Sequence, residues 1–170
     1  MPDPFRIASL PLGQGTLALC PLPRTPDDLQ QITRFAPSRM ISLTEEAERI
    51  TLGAATLPDQ IRKAGIHWHP FPVPDFGTPP TTADWQPIAT AAHQTLANGG
   101  RVLAQCRGGL GRSGMVLLRL MMEAGEDPDD ALHRLRTARP GAVETTAQEN
   151  WAQENRAQEN WAGNTGNTIG

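Results

Sequence analysis

The chain has 170 residues, of which 38% are hydrophobic and 19% charged, and its formal net charge at pH 7 is -3. These values are typical of one globular domain with room for a sheet covered by helices, and the slight negative charge gives no reason to expect nucleic-acid binding. No apolar run is long enough for membrane insertion, and residues 1–5 lack the features of a secretory signal. Two cysteines are too few for a disulfide framework or a four-cysteine metal site, so a reducing cytoplasm is the expected location.

The first half of the chain alternates between apolar runs typical of strands and periodic segments typical of helices. The four predicted strands are, in chain order, residues 5–12, 16–19, 40–43 and 66–73. Between the second and the third lies a predicted helix, which Thr25 caps and Pro26 opens. Between the third and the fourth, residues 45–65 predict helix in pieces, because Gly53 and Pro58 interrupt them.

The second half begins with a proline-rich loop, residues 72–80, and then continues the alternation. The predicted elements are, in chain order, helix 83–97, strand 101–105, helix 113–124, a helix from Asp127 to Arg139 and a helix that begins near Glu144. Short strands alternating with helices predict an α/β domain of three layers, in which a mostly parallel central sheet has helices on both faces.

The C-terminal segment contains three copies of the sequence AQEN, which begin at Ala147, Ala152 and Ala157. A period of five advances about 140° beyond a full turn of an α-helix, so the copies share no face and form neither a heptad nor a solenoid unit. We therefore expect a single domain over residues 1–161, with the repeat extending the last helix, and a disordered tail over residues 162–170.

A glycine-rich segment that begins at Cys106 lies between the predicted strand 101–105 and the helix that follows. A turn from strand to helix places backbone N–H groups around a point just ahead of the helix, where they attract an anion. Arg112 adds a planar guanidinium that can bind two phosphate oxygens, and these positive groups together favour a thiolate at Cys106. The segment predicts a nucleophilic cysteine in a phosphate site; the alternative is a buried cysteine beside an ordinary glycine turn. The residues expected to surround the phosphate are Arg107, Gly108, Gly109, Leu110 and Gly111.

Attack on phosphorus also needs a proton donor for the leaving oxygen. Asp75 is the best candidate, because it follows a predicted strand on a loop that prolines stiffen and Gly77 hinges. The alternative is a turn in which the Asp75 carboxylate caps local amides. Phe76 and Arg107 are candidates for contact with the substrate around the pocket.

Three blocks of the sequence resemble the protein tyrosine phosphatase superfamily. The segment from Cys106 to Ser113 matches its C-x5-R-[ST] phosphate loop. Residues 73–76 and 139–148 are similar to two further blocks of the small dual-specificity phosphatases, including the kinase-associated phosphatases. The blocks stand in the order and rough spacing that the family requires. The resemblance covers roughly residues 5–151 and implies a phosphatase-like domain.

The resemblance implies hydrolysis of a phosphomonoester in two steps, without a metal or other cofactor. Cys106 would take the phosphoryl group while Asp75 protonates the departing oxygen, and Asp75 would then activate the water that cleaves the cysteinyl-phosphate. Arg112 would hold the phosphate, and Ser113 would stabilise the thiolate as it leaves. Gln148 matches a family glutamine that helps to place the water; the alternative is that Gln148 caps or pairs within its own helix.

One position departs from the family pattern. Gln105 stands where the family usually has a histidine immediately before the cysteine. That histidine supports the loop through hydrogen bonding, and glutamine can also donate and accept hydrogen bonds. We therefore expect activity to be retained at a reduced level.

The other chemically reactive side chains carry weaker signals. His67 and His69 lie two apart on a predicted strand, but no third ligand of suitable spacing is near them, so a metal site is not expected. A disulfide between Cys20 and an oxidised Cys106 would protect the nucleophile. Nothing in the sequence places the two together, so a buried structural thiol is the better expectation for Cys20.

Three functions remain open at this point. The leading hypothesis is a phosphoprotein phosphatase that acts on phosphotyrosine and on phosphoserine or phosphothreonine, because no insert is long enough to deepen the pocket. The second is the same chemistry on a phosphoinositide, a nucleotide or an RNA 5′-phosphate; lipid enzymes of the superfamily typically have extra lysines in the loop, whereas this loop adds only Arg107. The third is a phosphate-binding module without catalysis, against which the joint presence of nucleophile, arginine, hydroxyl and acid argues.

Overall fold

The computed structural model describes residues 3–154 of the chain, which contain a five-stranded sheet of order β1-β2-β5-β3-β4. The strands are β1 (Ala8–Leu12), β2 (Gly15–Cys20), β3 (Arg39–Ser42), β4 (His67–Pro70) and β5 (Arg101–Gln105). The pairs β2–β5, β5–β3 and β3–β4 are parallel, whereas β1 is antiparallel to β2 because a tight turn at Gly13 joins them. The predicted mostly parallel sheet is confirmed, and the antiparallel edge makes it a mixed sheet.

The helices are α1 (Pro26–Phe35), α2 (Glu46–Thr51), α3 (Leu57–Lys63), α4 (Gln86–Ala97), α5 (Gly111–Glu123), α6 (Pro128–Ala138) and α7, residues 146–154. Helices α1 and α6 begin where capping residues and prolines predict them. Thr25 caps α1 through a capping box, in which its hydroxyl accepts from the Asp28 N–H. Asp127 caps α6 by accepting from the next two free N–H groups. Within residues 3–154, none of these helices has the length and hydrophobicity needed to cross a bilayer.

Helices cover both faces of the sheet, as predicted, because side chains alternate between faces along each strand. On one face, Leu17 and Val102 pack in a core to which α4, α5 and α6 contribute. On the other face, Ala18 and Leu103 pack in a second core with residues of α1 and α3. Helix α5 contributes much of the first core, with Met115, Val116, Leu117, Leu118, Leu120 and Met121 all fully buried.

Several predicted element boundaries are wrong: β1 begins at Ala8 rather than at residue 5, and α5 begins at Gly111, two residues earlier than predicted. Prolines explain two further errors. Strand β4 ends at Pro70 rather than at residue 73, because proline has no N–H to donate to a ladder. The chain still follows β3 beyond that point, since the N–H of Val73 donates to the carbonyl of Leu43 at 3.0 Å. Helix α4 begins at Gln86, three residues later than predicted, with a proline in its first turn.

Helix α7 contains the first AQEN copy and most of the second. Trp151, which follows the first copy, packs against Trp85 and Phe71, with ring centroids 5.5 and 6.2 Å away. The repeat is therefore helical as far as residue 154, as predicted. The third copy and the tail predicted for residues 162–170 lie outside the described residues.

Candidate active site

The segment between β5 and α5 is a tight turn at the carboxyl end of the parallel strands. We call residues 106–112 the cysteine turn. Gly109 has a φ of 67°, and a Cβ there would lie 2.6 Å from the carbonyl carbon of Cys20 on β2, so only glycine fits this position. The Cys106 N–H points at the carbonyl of Cys20, at 3.4 Å. The turn therefore rests directly on the backbone of the neighbouring strand.

Cys106 lies at the base of the cysteine turn and is 2% exposed, whereas Arg107 and Gly108 on the rim are exposed. Its Sγ is 3.2 Å from the Oγ of Ser113, which lies in the first turns of α5. A hydroxyl at this distance can donate a hydrogen bond to a thiolate. Both side chains lie at the N-terminal end of α5, where the helix N–H groups and the helix dipole attract an anion such as a phosphate.

Gln105 hydrogen-bonds to the backbone of Cys106 from the interior of the sheet. It is completely buried, and its Nε2 donates to the carbonyl oxygen of Cys106 at 3.0 Å and to the hydroxyl of Thr44 at 3.3 Å. Its Oε1 accepts from the hydroxyl of Ser42 at 2.8 Å, the residue opposite Gln105 in the β3–β5 pairing. The residue that stands in place of the family histidine therefore has partners at both ends of its amide and holds the carbonyl of Cys106.

Arg112 is 1% exposed and binds two other parts of the chain. Its Nη1 and Nη2 donate to the two carboxylate oxygens of Glu48 at 2.7 and 2.8 Å, and Nη1 also donates to the carbonyl of Val73 at 2.9 Å. Its Nη2 lies 3.2 Å from the Oδ1 of Asp75. Burial opposes the charge of Arg112, but the hydrogen bonds that it donates to Glu48, together with the neighbouring acidic groups, outweigh this effect and raise the pKa of Arg112. The guanidinium is therefore charged and fixed in orientation.

The sequence did not single out Glu48, which α2 carries to the site. The hydrogen bond from Arg112 lowers the pKa of Glu48 against the opposing effect of burial, so this carboxylate is ionised. A buried arginine needs a carboxylate partner, which is the signal that could have prompted a search. Glu45, Glu46 and Glu48 stand almost side by side, however, and nothing local distinguishes the one that faces inward.

Asp75 lies on a β-turn, residues 74–77, which we call the acid turn. The N–H of Gly77 donates to the carbonyl three residues earlier at 2.8 Å, which closes the turn. Phe76 has a φ of 59°, unusual for a bulky residue, and its N–H donates to the Oδ1 of Asp75 at 3.0 Å. The Asp75 side chain is 39% exposed and contacts Arg112. Asp75 thus binds a local amide, as the turn interpretation predicts, and also contacts the guanidinium of Arg112, while its role as the general acid stays a prediction.

Arg139 braces the cysteine turn from outside, a role that the sequence did not predict. Its Nε and Nη2 donate to the carbonyls of Gly109 and Gly108, both at 3.3 Å. Burial, together with the positive charge of Arg6, lowers the pKa of Arg139. Two successive carbonyls of the cysteine turn point outward to Arg139. This arrangement favours an inward orientation of the N–H groups of the turn.

Gln148 reaches the site from α7. It is fully buried, its Oε1 accepts from the N–H groups of Glu144 and Thr145 at 3.0 and 3.2 Å, and its Nε2 donates to the carbonyl of Gly77 at 3.2 Å. The contacts of Oε1 are those of a helix cap, one of the two predicted alternatives. The contact with the acid turn was not predicted.

The histidines of β4 and Cys20 make no side-chain contact with Cys106, Arg112 or Asp75 among the hydrogen bonds and ion pairs of the described residues. His69 pairs with Arg39, 3.0 Å from its Nη1, and burial followed by the charge of Arg39 lowers the pKa of His69, so the neutral ring accepts this bond. Across residues 3–154, no group of three or more His, Cys, Asp or Glu side chains is placed to hold a metal ion. Cys20 is buried, and that burial, followed by the charge of Cys106, raises the pKa of the Cys20 thiol.

The chain is similar to known proteins over most of its length, including all the site residues described above. Residues 11–152 match the family described as "Swiss Army Knife protein, DSP-PTPase phosphatase domain". The chain belongs to this phosphatase family. As a member, it is an enzyme of the protein tyrosine and dual-specificity phosphatase class, as the cysteine motif predicted.

Individual relatives agree with the family. This phosphatase is 29% identical over 163 residues to mouse "Cyclin-dependent kinase inhibitor 3", covering 87% of this chain and 77% of the relative. The crystal structure of kinase-associated phosphatase with its catalytic-site cysteine changed to serine aligns with a TM-score of 0.80 and 26% identity, over 92% of this chain and 96% of that one. The crystal structure of Tk-PTP in its active form aligns with a TM-score of 0.67 and 31% identity, over 81% and 89% of the two chains.

Proposed function

We propose that this phosphatase removes phosphate from phosphotyrosine, and from phosphoserine or phosphothreonine, in proteins, through a cysteinyl-phosphate intermediate on Cys106. The observation that carries the proposal is the meeting of three side chains from distant segments at one end of the sheet. Cys106 lies at the base of the cysteine turn, and Glu48 on α2 holds the guanidinium of Arg112. The carboxylate of Asp75 is 3.2 Å from the same guanidinium. The named catalytic cysteine of kinase-associated phosphatase, a structural relative, supports the same role for Cys106.

In the first step, the Sγ of Cys106 attacks phosphorus, and an S–P bond forms as the ester P–O bond breaks. Asp75, in its protonated form, gives its proton to the departing oxygen. Arg112 and the inward amides of the cysteine turn bind the remaining phosphate oxygens. The guanidinium stays on Glu48, and the N–H of Nη2 that faces Asp75 in the free protein donates to the phosphate instead. The residues that surround the phosphate are Arg107, Gly108, Gly109, Leu110 and Gly111.

In the second step, a water attacks the cysteinyl-phosphate. The Asp75 carboxylate takes a proton from this water as its oxygen bonds to phosphorus, and the S–P bond breaks. The sulfur leaves as a thiolate, to which the Ser113 hydroxyl, 3.2 Å away, donates a hydrogen bond. Inorganic phosphate then dissociates, and Asp75 is again protonated for the next cycle.

The rim of the site supports a broad choice of phosphorylated residue. A Cβ at Gly108 would meet no atom within 4 Å, so this side of the turn is open. Phe76 is 61% exposed beside Asp75, where its ring can pack against the aryl ring of phosphotyrosine. An open rim with one aromatic side chain admits phosphotyrosine and leaves phosphoserine or phosphothreonine within reach of the sulfur.

The proposal is tested by hydrolysis of 4-nitrophenyl phosphate by the purified protein in the presence of a chelator. We expect turnover in the wild type and none in Cys106→Ser. In Asp75→Asn, turnover should fall by about 10²-fold or more. Asp84→Asn, an exposed aspartate shortly after the same loop, is the matched control and should retain wild-type turnover. Full activity in Cys106→Ser, or a requirement for a divalent metal, would refute the mechanism.

The substrate class is tested with a panel of phosphorylated compounds. We expect a higher kcat/KM for phosphotyrosine and phosphothreonine peptides than for a phosphoinositide, a nucleotide or an RNA 5′-phosphate. The reverse order would assign the same chemistry to one of those substrates. Tight binding of phosphopeptides without turnover would instead identify a non-catalytic module.

A further inference from the structure

The side-chain amide of Gln148 joins helix α7 to the acid turn. Its Oε1 accepts from the N–H groups of Glu144 and Thr145, and its Nε2 donates to the carbonyl of Gly77. Gly77 is two residues from Asp75, in the same closed turn. The amide therefore links the start of one helix to the loop that carries the proposed general acid.

The orientation of this amide is determined by the helix start. Thr145 and Gln148 form a capping box, in which the Thr145 hydroxyl accepts from the Gln148 N–H at 3.1 Å while the Gln148 Oε1 accepts from the Thr145 N–H. Exchanging the amide oxygen and nitrogen would place an NH₂ group against two backbone N–H groups. The side chain is also fully buried, so it has no room to swing toward solvent. Its Nε2 must therefore face the acid turn.

The acid turn is held on both sides by buried donors. Before Asp75, the carbonyl of Val73 accepts from Arg112 at 2.9 Å. After Asp75, the carbonyl of Gly77 accepts from Gln148 at 3.2 Å. Asp75 itself is partly exposed and lies between these two bonds, so its position over the cysteine turn depends on them.

We infer that Gln148 is a positioning residue for the general acid, which it holds through the Gly77 carbonyl; this inference rests on the proposed function. A role in placing the water of the second step would need a free acceptor at Oε1. That oxygen already accepts two backbone N–H groups, which fills its two lone pairs. Gln148 therefore acts through Asp75, and its loss should be felt most in the first step, in which Asp75 gives its proton to the leaving group.

The test uses Gln148→Glu, which keeps an oxygen for the helix cap but loses the N–H donor to Gly77. Glutamate is a regular member of capping boxes at this position, so α7 should still begin normally. Thr145→Val is the matched control, because it removes the other half of the same box and leaves the bond to the acid turn in place. Gln148→Met, of similar length and uncharged, replaces Gln148→Glu if the buried carboxylate impairs folding.

The first measurement is kcat for two substrates, phenyl phosphate, whose leaving group needs a proton, and 4-nitrophenyl phosphate, whose leaving group needs it less. In Gln148→Glu we expect kcat for phenyl phosphate to fall about 10-fold or more, and kcat for 4-nitrophenyl phosphate to fall much less. In Thr145→Val the ratio of the two should stay as in the wild type. An equal fall for both substrates in Gln148→Glu, with a burst of 4-nitrophenol, would place Gln148 in the second step and overturn the inference.

The second measurement needs no activity, so it separates this inference from the proposed function. Amide hydrogen exchange of the free protein should be faster at Gly77 in Gln148→Glu than in Thr145→Val, because only the former loses its bond to the acid turn. Equal exchange in the two variants would reduce Gln148 to a helix cap and overturn the inference. An inactive wild type with this exchange difference would refute the proposed chemistry while keeping the contact that positions the turn.

Discussion

Replacing Glu48 by glutamine isolates the contribution of the carboxylate that holds Arg112. Glutamine keeps the shape but offers one oxygen, and it turns an NH₂ group toward the second N–H of the guanidinium. Removing one partner of a buried ion pair costs about 3–5 kcal/mol. We expect the lower end, about 3 kcal/mol, because the Glu48 side chain is 15% exposed and Arg112 keeps its bonds to Val73 and Asp75. At about 2–4 °C per kcal/mol for a domain of this size, Tm should fall by about 6–12 °C.

The assay is thermal unfolding followed by circular dichroism at pH 7, together with kcat/KM for an aryl phosphate. Glu46→Gln is the control, since it makes the same change at an exposed position of the same helix. We expect Glu46→Gln to match the wild type and Glu48→Gln to lose about 10-fold or more in kcat/KM, because the guanidinium no longer has a fixed orientation. Equal Tm values for the two variants would refute the argument that this pair holds the site together.

The same pair sets a dependence of stability on pH. The hydrogen bond from Arg112 lowers the pKa of Glu48 from its ordinary value of 4.5, so the folded protein binds this proton less tightly than the unfolded chain does. The resulting stability is complete above the ordinary pKa and is lost as the pH falls through the lowered one. Glu48→Gln should therefore lose stability less steeply with acid than the wild type does, in urea titrations across that range.

Further changes test the cysteine turn and its rim. Gly109→Ala should lower the free energy of unfolding by about 1–3 kcal/mol, because the alanine would have a φ of 67° and a Cβ 2.6 Å from the β2 backbone. Gly108→Ala is the control: its Cβ meets no atom within 4 Å, so this variant should unfold at the same urea concentration as the wild type. Gln105→Leu should cost about 1–3 kcal/mol and slow the alkylation of Cys106 by iodoacetamide, since the carbonyl of that residue loses its donor; an unchanged alkylation rate would contradict this. Phe76→Ala should raise KM for aryl phosphates. It should change the free energy of unfolding by less than about 0.5 kcal/mol, because the ring is 61% exposed. A fall in Tm with an unchanged KM would show instead that the ring stabilises the fold.

The sequence was most informative where the site is local along the chain. The strand, glycine turn and helix around Cys106 follow one another, so the pattern alone predicts their arrangement. Asp75 could be placed as well, because it follows a strand that runs parallel to β5, and the carboxyl ends of parallel strands meet at the same edge of the sheet. The error at β4 came from weighing its hydrophobic pattern above Pro70 and Pro72, which interrupt ladder hydrogen bonds.

The parts that could not be predicted are those that depend on tertiary packing. Glu48 becomes the partner of Arg112 only because α2 turns one of several neighbouring glutamates inward. Arg139 braces the turn because α6 ends beside Gly108 and Gly109, a proximity that no spacing reveals. The bond from Gln148 to the acid turn likewise requires α7 to pack behind it. Local patterns specify elements, whereas these contacts need the positions of elements relative to one another.

Arg112 takes its polar partners from α2 and from residues 73 and 75, while its own backbone belongs to α5. These segments are far apart in sequence, so no short fragment of the protein contains them all. Turnover should therefore disappear in the same cooperative transition that melts the domain, and a half-assembled intermediate should be catalytically silent. For this enzyme, the measured activity should therefore report the fraction of fully folded molecules.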